Sequence, residues 1–595
     1  MGPHGRPSLT RAKNFKQSIW KLIKYSKKQV VLLVLAIILT IGSTICTLIG
    51  PNKLEDLTNI IYAGLIPNGV LDMVAVGRIG TFLAIIYGLS AIFGYLQGLF
   101  MNISTQRISR SLRREISQKI NRLPLSYLDG TPYGDVLSRI TNDVDSMTSA
   151  LNSSITLLVS SVTLFFGCII MMFVTNWILA VSAILSSLIG IVLISVIVSK
   201  SNKYFIEQQI TLGKLNGHIE EVYSGHNVIK AYNAEREMTE TFNRRNKKLY
   251  TTAWKSQFLS GLMGPLMGFI GNLGYVVVCI VGAALAISGQ IEFGVIVAFM
   301  IYVRLFTQPL SQFAQCITNV QTIAASSERV FEMLEQPEMD DESDKTAYLP
   351  ISEVKGNVEF RNVRFGYIKD KTIIKDFSAT IKAGQKVAIV GPTGAGKTTI
   401  VNLLMRFYEI ESGDIIIDGI NTKDLKRENV HDLFSMVLQD TWLIEGTVKE
   451  NVAYSKKDVS DEKIVNACKE CGLHHFIKTL PKGYDTVLND AVTISAGQKQ
   501  LLTIARAMVQ DSPMLILDEA TSSVDTRTEV LIQKAMDKLM KKRTSFIIAH
   551  RLSTIRNADL ILVMKDGDIV ESGTHKDLIN NHGLYAELYN SQFDK

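Results

Sequence analysis

The chain has 595 residues, too many for one hydrophobic core, so at least two domains are expected. Its residues are 47% hydrophobic and 20% charged, and the apolar ones are concentrated in the first 320 positions, which predicts a membrane part followed by a soluble part. The net charge of +7 does not indicate nucleic acid, because the first 28 residues hold eight Lys or Arg and no acid directly before an apolar run.

Six apolar runs are each long enough for a helix that crosses a bilayer, which takes about 20 residues. They lie at 29–50, 78–101, 153–174, 178–199, 259–288 and 290–317. Segment 51–76 has one Lys against three acids, whereas 102–152 and 200–258 are rich in Lys and Arg. By the positive-inside rule, the N-terminus, both long loops and the C-terminal half are cytoplasmic. The short, Lys-rich start without a targeting segment indicates a bacterial cytoplasmic membrane.

Both long loops keep a helical pattern, so they are expected to continue the membrane helices into the cytoplasm. Turn residues interrupt that pattern at 123–130 and at 220–226. These two turns are predicted either to contact the soluble domain or to be ordinary surface turns. The acidic, aperiodic stretch 335–345, broken by Pro337, indicates a linker. The predicted organisation is a basic segment at 1–28, a transmembrane domain at 29–325, a linker at 326–355 and an α/β domain at 356–595.

Residues 391–398, GPTGAGKT, follow a strand-like run at 386–390 and precede a helix-like run at 399–407. Strand, glycine-rich loop and helix in this order are typical of a phosphate-binding loop. The glycines let backbone amides surround a phosphate, Lys397 supplies a positive charge, and the Thr398 hydroxyl is a ligand for Mg²⁺. The sequence therefore predicts a nucleotide site that uses ATP and Mg²⁺.

Two carboxylates, Asp518 and Glu519, end the apolar run at 514–517, where a buried pair of acids needs a cation. With Mg²⁺ bound at the loop, Asp518 is expected to hold the metal and Glu519 to orient the attacking water. His550 ends another apolar run and is a candidate contact to the γ-phosphate. Six scattered cysteines give no disulfide framework, and Cys468 and Cys471 are interpreted as buried thiols rather than as half of a zinc or redox site.

Residues 494–498, ISAGQ, resemble the signature motif of ATP-binding cassette (ABC) proteins. With the phosphate loop, Gln439, Asp525 and His550, the resemblance covers the whole C-terminal domain. The six predicted spans resemble the exporter branch of the family, in which a six-helix membrane domain with long cytoplasmic extensions is fused to an α/β P-loop ATPase domain.

The resemblance implies that two chains pair head to tail, with ATP held between the phosphate loop of one and the signature of the other. It implies adenine stacking on Tyr367, a Mg²⁺-sensing role for Gln439 and a γ-phosphate switch at His550. The implied ATP contacts are Gly391, Thr393, Gly394, Ala395, Gly396, Lys397, Thr398 and Thr399 on the loop, and Ser495, Gly497 and Gln498 on the signature. Closure of the pair would turn the membrane helices outward and release cargo.

The signature departs from the usual LSGGQ by Ile494 and Ala496. A Cβ at position 496 disfavours positive φ, which is expected to weaken the ATP site that this signature completes on the partner. Since Lys397, Asp518, Glu519 and His550 look intact, the sequence favours a heterodimer with unequal sites. A homodimer stays open.

Arg304, Gln308, Gln312 and Gln315 recur at helical spacing on the sixth run, with Pro309 expected to kink or break the helix, and Asn272 lies in the fifth run. These polar residues are candidates for cargo contact or for pairing between helices. An exporter of amphiphilic compounds is the favoured function. The alternatives are an ATP-gated channel or regulatory subunit, and a homodimeric lipid or peptide exporter. The six spans exclude a soluble cassette ATPase.

Overall fold

A computed structural model describes residues 14–65, 71–368, 371–439, 441–456, 458–489, 494–518, 525–548 and 555–593. It divides the chain into two compact units. The first combines 1–123 with 131–338, and the second combines 124–130 with 339–595. The second unit thus includes the tip of the first long loop.

The first unit is helical, and two of its long helices begin at a capping side chain. Asp72 accepts hydrogen bonds from the backbone N–H groups of Val74 and Ala75, and Asn176 does the same for Ile178 and Leu179. The helices through the end of this unit are α1 (Phe15–Tyr25), α2 (Val30–Leu65), α3 (Met73–Ile120), α4 (Leu125–Gly130, which belongs to the second unit), α5 (Tyr133–Ser138), α6 (Val144–Thr175), α7 (Trp177–Ser224), α8 (His226–Ala231), α9 (Glu235–Gly261), α10 (Met263–Ile287) and α11 (Phe293–Leu334).

Four helical stretches in the described residues are long and apolar enough to cross a membrane, namely 15–64, 73–120, 133–175 and 235–287. They contain the first, second, third and fifth predicted spans. The other two predicted spans lie in α7 and α11, where the apolar stretches found are Trp177–Leu188 and Phe293–Pro309. The count of six spans stays a prediction. The core of this unit lies where α6, α7, α10 and α11 meet, around Cys168, Leu179, Val278 and Phe299.

The second unit is an α/β structure whose elements are α4 and, in chain order, β1 (Val358–Phe365), β2 (Ile374–Ile381), β3 (Lys386–Val390), α12 (Lys397–Leu404), β4 (Ser412–Ile417), β5 (Ile420–Asn421), α13 (Arg427–Asp432), β6 (Phe434–Val437), β7 (Gly446–Thr447), α14 (Val448–Ala453), α15 (Asp461–Glu470), α16 (His474–Thr479), β8 (Val487–Leu488), α17 (Ala496–Gln510), β9 (Met514–Asp518), α18 (Thr526–Met540), β10 (Thr544–Ile548), β11 (Leu560–Lys565), β12 (Asp568–Gly573), α19 (His575–Asn580) and α20 (Leu584–Phe593).

The central sheet of the second unit has the strand order β12-β11-β3-β10-β9-β6. All neighbours are parallel except β11 and β12, and the central strands β3, β9 and β10 are buried along almost their whole length. Strands covered on both faces read as continuous apolar runs, as the sequence predicted. An antiparallel sheet of order β2-β1-β4-β5 and a small pair, β7 and β8, complete the strands.

Two observations bear on the expected linker, whose boundaries stay predictions. Helix α11 continues to Leu334, because Val330 and Met333 are buried. Beyond Met339 the chain belongs to the second unit, where Glu342 lies against Arg406 and Arg427 at 2.8 and 3.0 Å. An acidic stretch that looks solvated in the sequence is therefore fastened to the α/β unit by ion pairs.

Candidate functional site

The glycine-rich loop 391–396 joins β3 to α12, so the predicted order of strand, loop and helix is confirmed. Strand β3 lies between β10 and β11, and the loop leaves its carboxyl end. Ligands of open parallel sheets bind at this edge, where helix N-termini and loop amides converge.

Glycine is required at two loop positions for different reasons. At Gly391 an added Cβ would lie 2.3 Å from the carbonyl oxygen of Met564 on the neighbouring strand β11. At Gly394 φ is +85° with open space around it, so the requirement there is conformational. The loop is thus pressed against the sheet on one side and left-handed where it turns.

Lys397 begins α12, and its side chain folds back into the loop. The ammonium nitrogen Nζ donates to the carbonyl oxygens of Gly391 at 2.8 Å and Pro392 at 3.0 Å. Burial lowers the pKa of Lys397, and the negative charge of Asp518 opposes that shift. Among the described residues this buried ammonium donates its hydrogen bonds to neutral carbonyls of the loop, so it gains stability from an anion and the loop fits a phosphate group.

The other loop residues divide into buried and accessible side chains. Ala395 and Thr399 are buried, whereas Thr393 and Thr398 are exposed. The exposed Thr398 hydroxyl is therefore available to a metal ion at the start of α12. The buried Thr399 Oγ1 accepts a hydrogen bond of 3.3 Å from the Tyr367 hydroxyl.

Tyr367 lies beside this loop with part of its ring exposed. Phe365 and Tyr408 contact it edge to face, each with ring centroids 4.9 Å apart. These contacts and the bond to Thr399 fix the ring close to the phosphate loop, which is compatible with base stacking.

Asp518 and Gln439 follow neighbouring strands at the same sheet edge. Asp518 ends β9, and Gln439 lies two residues after β6, which pairs with β9 through Val437 and Leu517. Only β10 separates β9 from β3, so Asp518 lies at the same carboxyl edge from which the loop leaves. The structure therefore brings Lys397, Asp518 and Gln439 to one edge. Glu519 and His550 lie outside the described residues.

The signature residues form the start of α17. Ser495 is the N-cap: its Oγ accepts from the Gln498 N–H at 3.2 Å, and the Gln498 Oε1 accepts from the Ser495 N–H at 3.0 Å. Gly497 is buried. Ala496 is the first helical residue and does not have positive φ. Position 496 is thus helical in this chain, and a weakening of the partner's ATP site by the alanine stays a prediction.

The candidate cargo residues lie on α10 and α11. Helix α11 continues through Pro309, so of the two expected effects of this proline a break in the helix does not occur. Gln312 Oε1 accepts a 2.6 Å hydrogen bond from Ser161 on α6. This residue therefore pairs two helices, which was the alternative to cargo contact. Arg304, Gln308, Gln315 and Asn272 are exposed in the single chain. In the described part of the chain the side chain of Arg304 has no ion pair.

Tyr408 is a residue that the sequence did not single out. Its hydroxyl donates to the Asp129 carboxylate on α4, and its ring contacts Tyr367. The predicted contact between turn 123–130 and the α/β domain is thus confirmed, whereas a contact of turn 220–226 stays a prediction. Cys468 and Cys471 are buried in the core, and no cluster of three or more His, Cys, Asp or Glu suited to a metal occurs in the described residues.

Comparison with known proteins finds two family matches. Residues 33–310 match the ABC transporter transmembrane region, and residues 374–522 match the ABC transporter family. A fatty acid ABC transporter ATP-binding/permease protein of Mycobacterium tuberculosis is 42% identical over 540 residues, covering 91% of this chain and 85% of the relative. An ATP-dependent lipid A-core flippase of Syntrophus aciditrophicus is 35% identical, covering 84% and 83%. A probable multidrug resistance ABC transporter ATP-binding/permease protein of Bacillus subtilis is 34% identical, covering 84% and 75%.

Proposed function

The chain belongs to the ABC transporter family, as a membrane-spanning exporter half with a cytoplasmic ATPase domain, and on that premise we propose that it exports amphiphilic small molecules as one of two paired chains. The observation that carries the proposal is the phosphate loop, with the buried Lys397 ammonium folded into it, in the same chain as the membrane helices. Hydrolysis of ATP by this unit supplies the free energy for transport.

Within this proposal the residues of the sheet edge have separate roles. Lys397 and the loop amides hold the β- and γ-phosphates, and Tyr367 stacks on the adenine. Mg²⁺ would be held or sensed by Thr398, Asp518 and Gln439, and its positive charge would offset the negative charge of the phosphates. Glu519 orients the attacking water, and His550 contacts the γ-phosphate. Ser495, Gly497 and Gln498 meet the nucleotide on the partner chain.

Pairing with a different chain is the favoured assembly, on the grounds that Ala496 adds a methyl group to an exposed surface that would face the partner's nucleotide. Its helical conformation supports the homodimer instead, since no backbone strain accompanies the alanine. ATPase turnover of the purified chain in lipid decides between them. The heterodimer predicts turnover only with a second exporter half, and robust turnover of the chain alone would contradict it.

The substitution Ala496→Gly tests the effect of the methyl group independently of which chain is the partner. If the methyl group weakens the partner's site, the glycine variant raises turnover of the paired chains. An unchanged turnover would remove position 496 as a cause of asymmetry. Because glycine is a poorer helix former than alanine by up to about 1 kcal/mol, the melting midpoint should be measured beside the turnover.

The proposed cargo class is an amphiphile with a long apolar part. Relatives of this chain are named for fatty acids, a lipid A core and multidrug resistance, and amphiphilic character is what those compounds share. Arg304 is proposed to meet a polar or acidic group of the cargo, because its charge is exposed on α11 without an ion pair in the described residues.

Cargo-stimulated ATPase activity tests that role. Arg304→Met is expected to reduce stimulation by a fatty acid more than stimulation by an uncharged drug-like compound, with basal turnover unchanged. Equal stimulation of wild type and variant by the fatty acid would remove Arg304 from the cargo site. Electrical conductance gated by ATP would favour a channel over an exporter.

A further inference from the structure

A basic cavity lies within the first unit, beside the first helix of the membrane domain. It has a volume of about 950 Å³ and is formed by α1, the turn 26–29, α3 and the end of α11. Five lysines, one arginine and three aromatic residues line it, but only one acid. None of these residues belongs to the proposed ATP or cargo sites.

The positive charge of the cavity is largely unpaired. Its acid, Glu335, is bonded to Lys21 at 2.6 Å. In the described part of the chain the remaining basic residues have no ion pair, namely Lys16, Lys24, Lys27, Lys28 and Arg107. Such a concentration of exposed positive charge attracts anions.

The frame around these lysines is fixed rather than loose. The Asn14 N–H donates to Glu328 on α11 at 3.1 Å, and Lys21 pairs with Glu335, which caps the C-terminal end of that helix. On the other wall, the Tyr25 hydroxyl is 2.9 Å from Ser111 and 2.8 Å from Glu115, both on α3. Helix α1 is therefore tied to two long helices, and the cavity between them is built into the fold.

The cavity also has an apolar side that a free anion would not use. Trp20 lines it with 64% of its surface exposed, and Ile23 on the same helix is 60% exposed. Helix α2 begins at Val30, immediately after the cavity residue Gln29, and Val30 and Val31 are exposed as well. The lysines thus lie where the first apolar span begins, at the depth of lipid headgroups.

We propose that this cavity binds the headgroup of an anionic phospholipid of the cytoplasmic leaflet, with the acyl chains lying along Trp20 and the start of α2. Unpaired lysines meet the phosphate, and the exposed aromatic and aliphatic side chains meet the chain region. Because Phe331 and Glu335 at the end of α11 form one wall, the bound lipid also supports the contact between α1 and α11.

Lipid retention by the full-length protein in detergent tests the proposal. Native mass spectrometry is used to count phosphatidylglycerol and phosphatidylcholine bound at increasing lipid concentration, without nucleotide or cargo. Wild type is expected to retain phosphatidylglycerol preferentially. The triple variant Lys24→Gln, Lys27→Gln, Lys28→Gln is expected to bind it roughly 10- to 100-fold more weakly, since each basic residue adds attraction for an anionic headgroup. Phosphatidylcholine binding should not change.

A matched control removes the same charge elsewhere, by Lys534→Gln, Lys541→Gln and Lys576→Gln at exposed positions of the ATPase unit. This control is expected to retain phosphatidylglycerol like wild type. Trp20→Ala is a second variant, which leaves all the basic residues in place. It is expected to weaken lipid retention through loss of the acyl-chain contact, while the lysines still contact the phosphate.

Three results would overturn the proposal: equal retention by wild type and the triple variant, equal losses in the triple variant and the control, or displacement of the lipid by millimolar inorganic phosphate, which would mean a site for soluble anions. Because the substituted lysines and the control lysines all lie outside the proposed cargo residues, the comparison between the two variants does not depend on whether the chain exports amphiphiles.

Discussion

Gly391→Ala tests how tightly the phosphate loop is pressed against the sheet. The added Cβ would lie 2.3 Å from the Met564 carbonyl oxygen and 3.2 Å from its carbonyl carbon. Carbon and other heavy atoms normally pack about 3.5 Å apart, so the loop or strand β11 must retreat by roughly 1 Å. Because Val390 and Val563 pair in register just before this point, the strand has little freedom to move.

Overpacking of this kind costs about 1–3 kcal/mol. For a domain of this size each kcal/mol lowers the melting midpoint by about 2–4 °C, so a drop of about 2–12 °C is expected. If the loop is the part that retreats, its amides and the Lys397 ammonium lose their alignment with the phosphates. A loss of 1.4 kcal/mol in that alignment would weaken MgATP binding about tenfold.

The assay compares full-length proteins in detergent by thermal unfolding and by titration with a fluorescent ATP analogue. Gly573→Ala is the control, because it adds the same methyl group on the neighbouring strand β12, where the nearest atom lies 3.6 Å from the new Cβ. The control should melt and bind nucleotide like wild type. Identical behaviour of Gly391→Ala and Gly573→Ala would refute the argument from close approach.

Three further predictions follow from side chains of the ATPase unit. Asp418 accepts hydrogen bonds from the backbone N–H groups of Lys355, Gly356 and Asn357. Burial alone would raise the pKa of Asp418, but these donors lower it overall. Asp418→Asn should therefore destabilise the unit by about 1–3 kcal/mol at neutral pH. The stabilisation is complete above the ordinary pKa of an Asp and is lost as pH falls through the lower folded pKa, so melting curves of wild type and variant should converge in acid; a constant gap would contradict this. Arg406→Met leaves Glu342 paired with Arg427 and Lys345, but it removes a buried guanidinium that bonds Glu342 and the carbonyl oxygens of Thr422 and Leu425, so it should cost about 1–3 kcal/mol by the same melting assay. Arg361→Met, at an exposed ion pair, should not shift the midpoint measurably, and equal shifts would show that burial is not the cause. Tyr367→Ala should weaken MgATP binding about tenfold while Tyr367→Phe keeps the ring and most of the affinity, and equal losses in both would exclude stacking.

Local patterns in the sequence were sufficient where one physical cause dominates. Strands β3 and β9 have the predicted bounds to within a residue, because a strand covered on both faces must be apolar throughout. The loop before Lys397 follows the strand as predicted, because several glycines directly between an apolar run and a helical run are typical of a phosphate-binding loop. Four spans were likewise evident from length and apolar character alone.

Contacts between distant segments account for what the sequence did not reveal. Glu342 looks solvated within an acidic run, and only folding places it against Arg406 and Arg427. Tyr408 carries no motif, and its contact with Asp129 joins residues far apart in the chain. Ala496 was interpreted by comparison with a glycine-containing signature, whereas its conformation is set by the N-cap at Ser495, which makes position 496 helical.

The most direct test of the central claim is ATP-driven accumulation of a fluorescent fatty acid analogue in proteoliposomes that contain this chain with its paired exporter half. MgATP added outside acts only on molecules whose ATPase domains face outward, so export appears as uptake into the vesicle lumen. Wild type is predicted to accumulate the analogue, while Glu519→Gln and Lys397→Ala, inserted to the same level, are predicted not to. Equal accumulation by wild type and Glu519→Gln would contradict the claim that hydrolysis at this chain's phosphate loop drives export.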